Sequence, residues 1–128
     1  LGSLYAMHLA AARPGLAGLI IESGIADVLE RLLLRVTPEA LGGTLEQLEA
    51  AVTTHLSPRA WLTRHHGPSL FLHASRDDLV SVEHARCLHG WAREPKRLVL
   101  FEHGDHNSIF AANRAAYCHA LGEFLEAT

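Results

Sequence analysis

A chain of 128 residues, 48% hydrophobic and 20% charged, has room for one domain whose core buries about two thirds of the unfolded surface. Its formal charge of −3, with no basic block, excludes the electrostatic footprint of a nucleic-acid or anionic-lipid binder, and no apolar run approaches the roughly 20 residues that cross a bilayer. The cysteines Cys87 and Cys118 lie in apolar-periodic segments, so both are expected to be reduced and buried, which suits a cytoplasmic protein.

The chain opens LGSLYAMHLAAARPG, in which Leu4, Met7 and Ala11 recur at helical spacing and Arg13-Pro14-Gly15 ends the run. LAGLIIES, Leu16 to Ser23, is a nearly continuous apolar segment, the pattern of a strand covered on both faces of a parallel sheet. From Ile25 the stripe Ile25, Val28, Leu29, Leu32, Leu33 and Val36 predicts a helix, which TPEALGG ends. Thr44 with Gln47 three residues on makes a capping box for the next helix, and Ser57-Pro58 is a cap with Pro at the first position of another. Residues 25–67 therefore read as a small helical insertion without a strand.

PSLFLHAS, Pro68 to Ser75, is the second expected strand, and SVEHARCLHGWAR turns Val82, Ala85, Leu88 and Ala92 inward as a helix. RLVLFEH, Arg97 to His103, is the third strand. The closing SIFAANRAAYCHALGEFLEA places Phe110, Tyr117, Leu121 and Phe124 on one helical face. Helices alternating with strands predict the α/β class: one domain, 1–128, built on a three-stranded parallel sheet with flanking helices.

In such sheets chemistry gathers in the loops past the carboxyl ends of strands. HASRDDLV puts Asp77 and Asp78 at one strand end, and HGDHNS puts His103, Asp105 and His106 at the next. A carboxylate beside an imidazole holds the ring's tautomer and stabilises the imidazolium, which a general base needs. Asp105 is a loop or helix-start residue in this reading. The His-x-x-His spacing of His103 and His106 in a loop, and the His65-His66 pair, make a poor zinc signature, so neither a metal nor a cofactor is expected. His8, His55, His84, His89 and His119 read as surface or packed side chains, and Trp61 and Trp91 as packing residues.

PSLFLHASRDDLVS, followed about thirty residues later by GDHNS, resembles the C-terminal half of an α/β-hydrolase. In that family an apolar strand leads to His-Gly-x-x-Asp-x-x-Val-Pro and a later strand to Gly-x-His. The resemblance implies Asp77 as the triad acid and His106 as the base. FEHGDHNSIF is similar to the Bem46-like subgroup of serine hydrolases. The opening LG resembles the last two residues of the Gly-x-Ser-x-Gly nucleophile elbow, which implies a nucleophile just before Leu1, with the Leu1 backbone N–H as an oxyanion donor. Ala74 and Ser81 stand where the family has Gly and Pro; Ser81 can cap the following helix.

The activity so implied is hydrolysis of a carboxylic ester or related small acyl compound by a Ser-His-Asp triad, with residues 25–67 as a lid. An Asp or Cys nucleophile would instead give dehalogenase, epoxide hydrolase or dienelactone hydrolase chemistry. A truncated, non-catalytic remnant or binding module is the remaining alternative. With three strands and an unpaired first strand, the 128 residues alone are expected to be marginally stable and prone to associate.

Overall fold

The computed structural model describes all of residues 1–128. Three strands, β1 (Leu19–Glu22), β2 (Ser69–Ala74) and β3 (Lys96–Phe101), form a parallel sheet in the order β1-β2-β3. Leu19 pairs with Ser69, and Ser69 with Lys96, so all three strands point their carboxyl ends the same way. The helices are α1 (Gly2–Ala12), α2 (Val28–Leu33), α3 (Leu45–His55), α4 (Pro58–Arg64), α5 (Val82–Trp91), α6 (Ile109–Ala112) and α7 (Arg114–Glu126).

Strand alternation divides the core in two. On one face Leu19, Ile21 and Phe71 pack with Leu4 and Met7 of α1, Trp61 and Leu62 of α4, and Leu88 of α5. On the other, Leu70, Leu72, Ala74 and Phe101 meet Ile109 of α6 and Ala120 of α7. Every residue of β2 is buried, as befits the central strand. Phe71, 1% exposed at the heart of the larger cluster, is the sharpest test of this packing. Phe71→Ala is expected to cost about 3–5 kcal/mol, read as a lowered urea midpoint of the intact protein at unchanged slope.

Four expectations change. β1 is shorter than the apolar run and alternates between buried and exposed positions, because Ile20 and Glu22 face the side that α7 covers only in part. The helix expected from Ile25 begins at Val28, where the Asp27 carboxylate caps it by accepting from the Glu30 N–H. The closing helix is broken at Asn113, whose amide donates to the His103 and Ile109 carbonyls. Both cysteines are exposed free thiols rather than buried ones, because they lie on the outward faces of α5 and α7.

The capping box of Thr44 and Gln47 and the Ser57-Pro58 start both form. Residues 25–67 divide between two tasks. α4 belongs to the body, with the Trp61 ring 5.1 Å from that of His8 and edge-on to it. α2 instead walls a cleft at the sheet's carboxyl end. No helix is long and apolar enough to cross a membrane.

Candidate active site

Parallel pairing of β2 and β3 brings the two following loops side by side, which is why residues 29 apart in sequence meet. His106 Nδ1 donates to Asp77 Oδ2 at 2.8 Å. The other oxygen, Oδ1, accepts from the backbone N–H groups of Val80 at 2.8 Å and Leu79 at 3.0 Å. Asp77 is buried, whereas Asp78 is exposed. Burial pushes the Asp77 carboxyl up, but the hydrogen bonds from Val80, His106 and Leu79 outweigh it and hold it below its ordinary value of 3.8. A carboxyl lowered on folding contributes stability above its unfolded pKa and loses that contribution as pH falls through the folded value.

His73, which the sequence motifs leave without a role, clamps this turn. It is fully buried in β2, and its Nε2–H donates to the Val80 carbonyl at 2.8 Å. Burial lowers its pKa, keeping the ring neutral, and its Nδ1 has no partner. β2 thus grips Val80 by its carbonyl while Asp77 grips it by its N–H. The signal was available: a His four residues before the acid, at the end of an otherwise apolar strand.

The loop carrying His106 is equally constrained. Asp105 Oδ1 accepts from the N–H groups of Asn107 and Ser108 and from the Ser108 hydroxyl, folding the loop tightly. Asn113 reaches back to the His103 carbonyl at 2.7 Å, so the break between α6 and α7 serves to anchor this loop. Gly104 adopts φ +79°, and a Cβ there would lie 3.0 Å from Ala112 Cβ and 3.1 Å from the Ser108 carbonyl oxygen. Gly104→Ala is therefore expected to destabilise the intact protein by about 1–2 kcal/mol and to lower turnover through a displaced His106, measured by thermal melting alongside an activity assay.

His106 lines a cleft of about 650 Å³, and its Nε2 has no protein partner. Leu1, Gly2 and Ser3, at the start of α1, line the same cleft, with Leu1 83% exposed. Ser23, past the end of β1, adopts φ 47° and keeps a buried hydroxyl without a partner. Gly24 beside it is tightly packed: a Cβ would lie 2.4 Å from Ile21 Cγ2 and 2.7 Å from Leu88 Cδ1, so those side chains would have to move. Arg31 and Arg35, which no sequence motif marks, line the cleft as well. His103 is exposed and contributes only its carbonyl, while His65 and His66 lie outside the cleft. No group of three or more His, Cys, Asp or Glu side chains is placed to hold a metal ion.

No family model matches the chain. Among curated proteins it is 34% identical over 71 residues to the uncharacterized protein YqkD of Bacillus subtilis, covering 56% of this chain and 23% of that protein. A 46-residue stretch is 46% identical to T-cell surface glycoprotein CD1b2 of Cavia porcellus, covering 36% of this chain and 13% of the glycoprotein. The chain thus spans less than a quarter of the length of these relatives. Two solved structures match nearly all of it. The 2,6-dihydroxy-pseudo-oxynicotine hydrolase superposes with a TM-score of 0.66 at 25% identity, over 95% of this chain and 36% of that one. The esterase domain of a Rhodothermus marinus protein gives 0.70 at 23% identity, over 98% and 55%. The three parallel strands and their flanking helices are part of an α/β-hydrolase fold.

Proposed function

We propose that Asp77 and His106 are the acid and base of a Ser-His-Asp triad that hydrolyses carboxylic esters or related small acyl compounds. The nucleophilic Ser would be the residue preceding Leu1. One observation carries this reading: the Asp77-held imidazole and the residues opening α1 share one cleft. A side chain immediately before Leu1 would stand at its edge.

With Asp77 and His106 in these roles, the reaction is a two-step acyl transfer. His106 Nε2 takes the Ser Oγ proton as Oγ attacks the acyl carbon, and Asp77 stabilises the imidazolium through Nδ1–H. The Leu1 N–H would donate to the oxyanion. The imidazolium returns its proton to the departing alcohol or thiol, leaving an acyl-enzyme. Water activated by the same Nε2 then releases the acid. The likeness to hydrolase and esterase structures supports this reaction class.

The test is a rapid-mixing assay of the intact protein with 4-nitrophenyl butyrate. A nitrophenol burst stoichiometric with protein, followed by steady turnover, is the expected result. Absence of both overturns the proposal.

A further inference from the structure

We infer that Arg31 and Arg35 are a substrate-recognition pair, and that the acyl compound taken by the cleft carries a second, ionised oxygen group, a carboxylate or a phosphate. The inference rests on the hydrolase reading above for the word substrate; the anion site itself does not. Both arginines line the cleft that His106 lines.

Neither has a carboxylate within ion-pair distance, although the chain as a whole is acidic. Of the acidic groups nearest in sequence, Glu39 forms no ion pair with either arginine, and the others have partners of their own. Glu22 accepts from the Tyr117 hydroxyl, Asp27 caps α2, and Glu30 pairs with His84 at 3.1 Å. Two cations without ion-pair partners on one cleft raise its positive potential. The helix dipole favours a basic last turn and so accounts for Arg31, but Arg35 lies beyond the C-cap, Leu34. That potential favours a bound anion, and a guanidinium fork matches carboxylate or phosphate oxygens two at a time.

The wall bearing these charges is held in place. His84 of α5 is buried, and its Nδ1 accepts from the N–H groups of Ala26 at 3.1 Å and Asp27 at 3.2 Å, while its Nε2 faces Glu30. That latch fixes the start of α2 to the body. Ile25, Val28 and Leu32 supply apolar lining alongside the arginines. A substrate that matches this lining carries a scissile acyl group, an apolar stretch and an anion. A half-ester of a small dicarboxylic acid has this form.

Two readouts on the intact protein separate the site from the reaction. In calorimetric titration, glutarate is expected to bind the wild type and the His106→Ala variant alike. The Arg31→Gln/Arg35→Gln double variant should bind it about tenfold or more weakly. 3-Phosphonopropionate run in parallel tells phosphate preference from carboxylate preference. In turnover, 4-nitrophenyl hydrogen glutarate is expected to exceed 4-nitrophenyl pentanoate in kcat/KM by about tenfold or more, and the double variant should lose that ratio. Glutarate that fails to bind, or that binds the double variant equally well, overturns the anion site. Arginine-dependent binding without hydrolysis of either ester leaves the site standing and overturns the hydrolase reading instead.

Discussion

Replacing His106 with Ala in the intact protein is expected to lower kcat for ester hydrolysis on the order of a millionfold, the cost of losing the base in a triad hydrolase. The imidazole is the one group in the cleft with both a carboxylate partner and a free ring nitrogen. Its removal leaves nothing to accept the nucleophile's proton. Because the ring is partly exposed and lies outside both core clusters, folding should survive the change. An unchanged urea midpoint measured beside the kinetics would place the loss in chemistry. Activity within tenfold of wild type would remove His106 from the mechanism.

Asp77→Asn is expected to lower kcat by about 10⁴-fold while leaving the turn intact. The reason lies in the carboxylate's two oxygens. Oδ1 accepts from two backbone N–H groups, a position that only the Asn carbonyl can occupy, so the amide nitrogen falls where Oδ2 met His106. That nitrogen donates to Nδ1 and drives the ring proton to Nε2, the atom that must be bare to act as a base. Asp77→Ala should behave differently. It loses the same activity and also strands the Val80 and Leu79 N–H groups, at about 1–3 kcal/mol of stability. Comparing melting temperatures and kcat for the two variants separates the carboxylate's structural task from its chemical one.

Much of the fold was written locally. The Thr44-x-x-Gln47 box and Ser57-Pro58 marked helix starts because caps are satisfied within one turn of chain. The strands were legible as apolar runs, and β2, covered on both faces, matched its run most closely. β1 did not, since whether Ile20 is covered depends on where α7 lies. The break at Asn113 was illegible for the same reason: its partner is a carbonyl ten residues back, across the loop it anchors.

For the site, Asp77 and His106 could be named from short motifs, but their contact follows only from β2 and β3 being parallel neighbours. Arg31 and Arg35 carried a weaker signal, two cations four apart among apolar residues, one in the last turn of α2 and one just past its C-cap. Their place in the cleft depends on the His84 latch, a contact spanning 58 residues.

The most direct measurement is labelling of the intact protein with a fluorophosphonate probe, followed by peptide mapping of the adduct. A triad built on Asp77 and His106 predicts one adduct, on the Ser immediately preceding Leu1, that disappears in His106→Ala. An adduct elsewhere, one that persists at full rate in His106→Ala, or no labelling at all would contradict it.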